Sequence, residues 1–148
     1  ILKITPYLFV LIIIFVTIQN KNSNYKKIQQ DVFSYSVIPS LAYFSIGHLV
    51  FYKKVRKDQG WSDDKGVEIL QREIGLIELS LFTIACYTTD NPKYVSNILG
   101  LMLVMLGFNH ILTSGYDNID IAIFDILYGS LLLYIFTREE NDYPKALE

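Results

Sequence analysis

The sequence has a single cysteine, Cys86, among its 148 residues, and this scarcity excludes several kinds of protein. One thiol cannot form an internal disulfide, and it cannot supply the several thiolates of a cysteine-based metal site. Because Cys86 lies inside an apolar run, we expect it to be a small buried thiol. The sequence also lacks an Asn-x-Ser/Thr acceptor for N-linked glycosylation.

Catalytic motifs and an excess of positive charge are missing as well. The sequence contains no Gly-x-Ser-x-Gly, no P-loop and no dinucleotide-binding fingerprint, so a soluble type of enzyme is not expected. The formal net charge is -2, which provides no basic face for nucleic acid. We therefore favour a non-enzymatic function over an enzymatic one and expect no nucleic-acid partner, and the sequence does not identify a cofactor.

Long apolar runs are what the sequence has instead. Hydrophobic residues make up 51% of the chain, and the charges are collected in separate segments between the runs. Each run approaches the ~20 residues that an α-helix needs to cross ~30 Å of hydrocarbon. We predict an all-α integral membrane bundle, a single domain over residues 1–148. The five predicted transmembrane helices cover about residues 4–18, 32–52, 68–87, 94–113 and 119–136.

The first two runs carry further expectations. Residues 4–18 also fit the core of a signal peptide, and we expect a retained anchor instead. A bundle of four spans, with this segment lying on the membrane, is the alternative. Pro39 lies inside the second run and predicts a kink, with Ser36 or Ser40 satisfying the freed backbone groups. The predicted polar segments are the linker 19–31, the turns 88–92 and 114–118, and the charged tail 138–148.

The third helix has its own start signals. A basic cluster precedes it and is followed by Trp61, a residue that favours the boundary between membrane and water. Ser62 or Asp63 is the predicted N-cap of this helix, because a side-chain oxygen there can accept a free backbone N–H.

Ionisable side chains lie inside the apolar runs, where a charge costs about 3 kcal/mol at the bilayer centre. They are His48, Glu73, Glu78, His110 and Asp125. A helix rise of ~1.5 Å per residue places all of them except Glu78 roughly 5–10 Å inside the same membrane face. We therefore expect those four side chains to meet in one buried polar cluster near that face.

Helical facing adds to this expectation. His110 and Asp125 each share a stripe with small residues, which allow helices to approach closely. Glu78 lies about 140° from Glu73 around the same helix, on the face of Gly75, so both acids cannot point into one narrow site. We expect Glu78 deeper in the membrane, as a neutral, hydrogen-bonded carboxyl. The small residues of the two stripes are Ser96, Gly100, Gly107, Ala122 and Gly129.

Two histidines and two carboxylates are compatible with three kinds of site. They are a structural hydrogen-bond network, a proton or ligand site, and a metal site for Zn, Mn or Fe. No His-x-x-x-His or Glu-x-x-His spacing supports the metal, and we favour the structural network. In such a network Glu73→Gln should be mild and Glu73→Leu worse. Gln71 and Asn109 are further polar candidates.

Short motifs follow one another in a fixed order along nearly the whole chain. They are Gly47-His48, Gly60-Trp61, Leu70-Gln71-Arg72-Glu73-Ile74-Gly75 and Gly107-Phe108-Asn109-His110-Ile111, with Asp125 in the last helix. This order resembles an uncharacterised family of small prokaryotic multi-pass membrane proteins. The sequence departs from the family pattern at Leu70, Glu78 and Asn109. The resemblance implies a membrane topology and importance for the motif histidines and acids, and it implies no activity.

The functional prediction is a small multi-pass membrane protein, most simply a non-catalytic structural or accessory component of a membrane assembly. Its expected partners are the lipid bilayer and other membrane subunits or a second copy of the chain. A proton-coupled transporter or a metal-dependent membrane enzyme is the alternative. The first function predicts a dry, closed cluster, and the alternative predicts a cavity at the cluster or a bound metal.

Overall fold

The computed structural model describes residues 5–59, 61–114 and 119–138, and every regular element within them is helical. The predicted all-α class is therefore confirmed. Gly60 and most of both the predicted turn 114–118 and the predicted charged tail lie outside the described residues. The helices are α1 (Thr5–Gln19), α2 (Tyr25–Val32), α3 (Ile38–Leu49), α4 (Tyr52–Asp58), α5 (Lys65–Tyr87), α6 (Lys93–Ser114) and α7 (Ile119–Thr137).

A π-helical segment, Phe33–Val37, joins α2 to α3 without a break in the helical backbone. It lies just before Pro39, whose ring crowds the preceding turn and which has no N–H to donate, so the regular α-helix widens here into a π-helical turn. Ser40 Oγ donates to the carbonyl of Val37 at 2.9 Å. Ser36 Oγ donates instead to the carbonyl of Phe9 in α1 at 3.0 Å.

The predicted linker 19–31 is wrong over most of its length, because α2 begins at Tyr25. Asn24 caps this helix by accepting a hydrogen bond from the N–H of Lys27 at 2.9 Å. Its Tyr25 and Ile28 are buried at helical spacing, and intervening lysines conceal this apolar stripe in the sequence. The basic segment after residue 52, predicted only as a cluster of charges, forms α4.

The start of α5 also differs from the prediction. Asp64, and not Ser62 or Asp63, is the N-cap, because Asp64 Oδ1 accepts the N–H of Gly66 at 2.6 Å. Ser62 Oγ accepts the N–H of Asp64 at 3.1 Å and so supports the cap from outside the helix. The helix consequently begins at Lys65, earlier than the predicted residue 68.

Glycines bring α6 and α7 into close antiparallel contact. A Cβ on Gly129 would lie 2.5 Å from the carbonyl oxygen of Gly100. A Cβ on Gly107 would lie 2.6 Å from Ile126 Cγ1 and 2.9 Å from the carbonyl oxygen of Ala122. The predicted stripes of small residues therefore coincide with the contact between these helices.

α1 packs as a member of the bundle. Its Ile13 is buried in a hydrophobic core that also includes residues of every other helix except α4. Tyr7 Oη in α1 donates to the carbonyl of Asp120 in α7 at 2.7 Å. The carbonyl of Ile135, near the other end of α7, accepts hydrogen bonds from Tyr25 Oη and from Gln29 Nε2 of α2.

The outer surface of the bundle is rich in large apolar side chains. Residues Lys93–Leu112 of α6 and all of α7 are long and apolar enough to span a membrane, yet only 39% and 44% of these spans are buried. α1 is also apolar, with 15 residues. Cys86, predicted to be buried, is exposed. Other outward residues include Leu11, Phe15, Leu76, Ile77, Leu101, Met105, Ile123 and Leu127.

Candidate functional site: two histidine–carboxylate pairs beside a cavity

The strongest polar contact inside the bundle joins His48 in the last turn of α3 to Glu78 of α5. His48 Nδ1 lies 2.7 Å from Glu78 Oε2, and both residues are buried, Glu78 with 3% of its surface exposed. A short hydrogen bond to a carboxyl group in such surroundings is strong, and breaking it leaves a costly unpaired group. This contact fixes α3 against α5.

Gly75 determines which residue of α5 reaches His48. A Cβ at this position would lie 2.9 Å from His48 Cβ and 2.9 Å from Leu49 Cγ, so only glycine allows the two helices to approach this closely. Glu78 follows Gly75 by three residues and therefore lies on the same face, toward α3.

The second pair, His110 of α6 and Asp125 of α7, is looser. His110 Nε2 lies 3.7 Å from Asp125 Oδ2, a distance that permits an electrostatic attraction and exceeds a normal hydrogen bond. Both side chains are buried, and Asp125 makes no hydrogen bond within the described residues.

Trp61 joins the two pairs physically. Its ring centroid lies 6.4 Å from that of His48, at an interplanar angle of 7°. The corresponding values for His110 are 6.0 Å and 25°. These separations are within the range of favourable offset contacts between aromatic rings. The segment after α4 thus packs the only tryptophan of the sequence against both imidazoles.

Arg56 holds this segment in place from α4. The carbonyl of Arg56 accepts the N–H of Trp61 at 2.9 Å. Its buried guanidinium lies 3.4 Å from Asp63 Oδ1 and 3.8 Å from Glu68 Oε2, so it ties the segment to the start of α5. The sequence alone does not indicate this role, because Arg56 resembles its neighbouring lysines until α4 is recognised as a helix.

The structure brings together three of the four side chains predicted to meet, with Glu78 in place of Glu73. Glu73 is exposed on α5, so its predicted place in the cluster is not what the structure shows. Gln71 is fully buried, and its Nε2 donates to the carbonyl of Tyr52 at 3.1 Å, away from the histidines. Asn109 is exposed.

A second buried polar group was not predicted. Tyr128 Oη of α7 donates to Ser40 Oγ at 2.9 Å and lies 3.1 Å from Ser36 Oγ. All three side chains are fully buried. Because each serine also reaches a backbone carbonyl, this group has the character of a closed structural network. The useful signal in the sequence was Tyr128 on the same stripe as Asp125, three residues apart.

A cavity of about 380 Å³ lies between α1, α3, α4 and α7. His48 and Asp125, one member of each pair, contribute to its lining, and most of the remaining wall is aromatic or aliphatic. Its size is within the range of small-molecule sites. Part of the polar cluster is therefore accessible from an open space and is not enclosed as the Tyr128 network is.

The donor set does not favour a metal. Among the described residues, no group of three or more His, Cys, Asp or Glu side chains is placed so that it could bind a metal ion. Each histidine instead has one carboxylate partner, and Trp61 contacts both imidazoles.

Comparisons of the chain with known protein families, with curated proteins and with solved structures give no match.

Proposed function

We propose that this chain is a small multi-pass membrane protein with five transmembrane helices. The spans are α1, the continuous rod of residues 25–49, α5, α6 and α7. The observation that supports this arrangement is the apolar outer surface, which is far more extensive than soluble proteins normally expose. The packing of α1 between α2 and α7 favours five spans over four, because a helix lying on the membrane would not contribute Ile13 to the core.

We also propose that the chain is related to the uncharacterised family of small membrane proteins that its motifs resemble. Its support is spatial, since His48, Gly75, His110 and Asp125 come from separate motifs and converge on one site. Trp61, from a further motif, contacts both histidines. Among the motif histidines and acids, Glu73 is the one that does not converge.

Within the membrane we propose that the two histidine–carboxylate pairs form the polar end of a ligand-binding site. The cavity carries this proposal, because a purely structural network would be closed, as the one around Tyr128 is. The protein then acts as a binding component, alone or as an accessory subunit of a membrane assembly. No catalytic step is assigned to it.

The test fills the cavity and measures binding of a neutral dye, 1-aminoanthracene, to the full chain in lipid nanodiscs. Gly47 lines the cavity, and a Cβ there would lie an ordinary 3.5 Å from Val55 Cγ2. Gly47→Ala should therefore keep saturable binding at one dye per chain, and Gly47→Phe should abolish it. Equal binding by all three proteins, or no saturable binding by the wild type, would contradict a ligand site.

Proton coupling is the second candidate function. Both pairs combine groups that can exchange a proton, and the cavity reaches one member of each. Proteoliposomes containing a pH-sensitive dye should then show ligand-driven proton movement that is lost in His110→Gln. Ligand binding without any proton movement would support the binding site and contradict proton coupling.

A further inference from the structure

We propose that the cavity binds a lipophilic organic cation, in which an ammonium group is attached to an apolar body. This inference rests on the proposed ligand-binding function and gives it a substrate class.

The first observation is the aromatic wall. Aromatic faces attract cations through the ring quadrupole, and groups of several rings are a common way to bind ammonium ligands. Phe44 and Phe124 lie with their centroids 6.0 Å apart, and Tyr7 contacts Phe124 at 5.5 Å, so the wall on the side of α1 and α7 is continuous. The aromatic residues that line the cavity are Tyr7, Tyr43, Phe44, Phe51 and Phe124.

The second observation is the sign of the charge. The acids that line the cavity are Asp58, Asp120 and Asp125, against a single lysine, Lys54. Lys54 Nζ lies 3.9 Å from Asp58 Oδ2 in the same helix, so this acid has a partner of opposite charge. His48 also lines the cavity, and Glu78 behind it offsets any positive charge on the imidazole. The cavity therefore favours a positive ligand over a negative one.

Asp125 makes the preference specific. Only 8% of its surface is exposed, and it lines the cavity without a hydrogen bond from any described residue. Its ion partner, His110 Nε2, is 3.7 Å away. A buried carboxyl in this state gains from a cation brought to its free side, whereas a neutral apolar ligand would leave it unsatisfied.

The position of the cavity indicates the shape of the ligand. It lies where α1 and α7 begin and α3 ends, and these ends meet at one end of the bundle. In the proposed topology this is just inside the level of the lipid headgroups. An ammonium group would lie there near the acids, with the apolar body among the rings. The ammonium headgroup of a membrane lipid and a free lipophilic cation share this chemistry, an ammonium group attached to an apolar body.

A matched set of probes separates charge from shape. Benzyltrimethylammonium, its neutral carbon isostere neopentylbenzene, and the anion phenylmethanesulfonate would be titrated into the full chain in phosphatidylglycerol nanodiscs. Fluorescence of Trp61, which contacts the cavity-lining His48, and calorimetry give the affinities. We expect the cation to bind at least about tenfold more tightly than the neutral isostere, since an ionic contact to a carboxylate together with cation–π contacts to the rings has this magnitude. The sulfonate should not bind.

A variant that removes one charge shows whether Asp125 causes the preference for the cation. Asp125→Asn should weaken binding of the cation roughly tenfold and leave binding of the neutral isostere unchanged, which also shows that the variant is folded. Asp90→Asn, in an exposed turn that does not line the cavity, is the matched control and should not change either affinity.

Two further comparisons are needed. The first distinguishes a lipid headgroup from a free cation as the natural ligand, and the second distinguishes failure of the cation class from failure of ligand binding. If the natural ligand is a lipid headgroup, adding phosphatidylcholine to the nanodiscs should lower the apparent affinity of the cationic probe in proportion to the amount added. If the natural ligand is a free cation, this affinity should not change. Equal or tighter binding of the neutral or anionic probe would overturn the cation class and leave ligand binding intact. If no charged probe binds while 1-aminoanthracene still does, the cation class is again overturned and ligand binding is intact. Loss of the dye as well would overturn both proposals.

Discussion

The hydrogen bond between His48 and Glu78 predicts which acid of α5 matters for stability. Glu78→Leu leaves the buried His48 Nδ1 without its partner and should lower the free energy of unfolding by about 1–3 kcal/mol. Glu78→Gln retains an acceptor oxygen and should cost less. Denaturation of the purified chain in mixed micelles, followed by circular dichroism, measures both values.

Glu73→Leu is the matched control for that measurement. Glu73 is on the same helix and exposed, so its replacement should change the free energy of unfolding by no more than about 0.5 kcal/mol. A larger loss for Glu73→Leu than for Glu78→Leu would place the wrong acid beside His48 and would reinstate the sequence prediction.

The buried hydroxyl group of Tyr128 allows a second prediction. Tyr128→Phe keeps the ring and removes one donor, while Ser36 and Ser40 retain their bonds to the carbonyls of Phe9 and Val37. We expect a loss of about 0.5–1.5 kcal/mol, the usual value for one hydrogen bond. Tyr128→Ala, which also removes the ring, should cost about 3–5 kcal/mol in the same unfolding assay. Nearly equal losses would show that the hydroxyl network dominates over packing.

For single residues, the predicted helix face was more reliable than the predicted depth in the membrane. The depth calculation selected Glu73, because it assumed that equal numbers of residues in α3 and α5 correspond to equal depths. Facing had already placed Glu78 with Gly75, and the structure joins that face to His48. Trp61 lies between α4 and α5 and outside both helices, so no helical period in the sequence could place its ring against the imidazoles.

The contact between α6 and α7 gives a prediction for whole helices. Gly129→Ala would put a methyl group 2.5 Å from the carbonyl oxygen of Gly100, and this atom belongs to a rigid backbone. The helices must separate, and we expect a loss of about 1–3 kcal/mol, as for other overpacked interiors. Gly47→Ala is the control, because its methyl group meets only Val55 Cγ2 at 3.5 Å. Thermal unfolding of both variants in detergent distinguishes them, and equal stability would contradict the close approach.

The sequence predicted the apolar helices well and the polar ones poorly. The predicted spans 94–113 and 119–136 agree with α6 and α7 to within a residue at each end. α2 and α4 were missed because their lysines break the apolar runs, while hydrophobic length was the main signal. The π segment could not be foreseen in detail, since Pro39 predicts a disturbance of the helix and not the form that it takes.

For the molecule as a whole, the helix directions place the candidate site at one end of the bundle. α1, α5 and α7 begin there, and α3 and α6 end there, so that His48, His110 and Asp125 are each near that end of their helix. The sequence prediction placed these three near one membrane face, and the structure places them near one end of the bundle. The turn between α5 and α6 lies at the opposite end, about 20 residues of helix away from the segment that contains Trp61.

The last prediction tests whether these two ends face opposite sides of a membrane. Ser62 and Thr89 are exposed, the first beside Trp61 and the second in the turn after α5. Each would be changed to cysteine in a Cys86→Ser background, which removes the only native thiol. In sealed vesicles of one orientation, a membrane-impermeant maleimide should label one of the two variants, and permeabilised vesicles should label both.

The pattern of labelling tests two of the proposed crossings, those of α5 and of the rod of residues 25–49. α5 connects the two positions, so it must cross the membrane if they are labelled from opposite sides. Labelling of both variants in sealed vesicles would mean that α5 lies on one side, and the acids and the single arginine, Arg72, that interrupt its apolar sequence would then be solvated. Adding a third cysteine at Ser23, between α1 and α2, decides whether the rod of residues 25–49 also crosses. If it does, Ser23 and Thr89 share a side, because this rod and α5 lie between them.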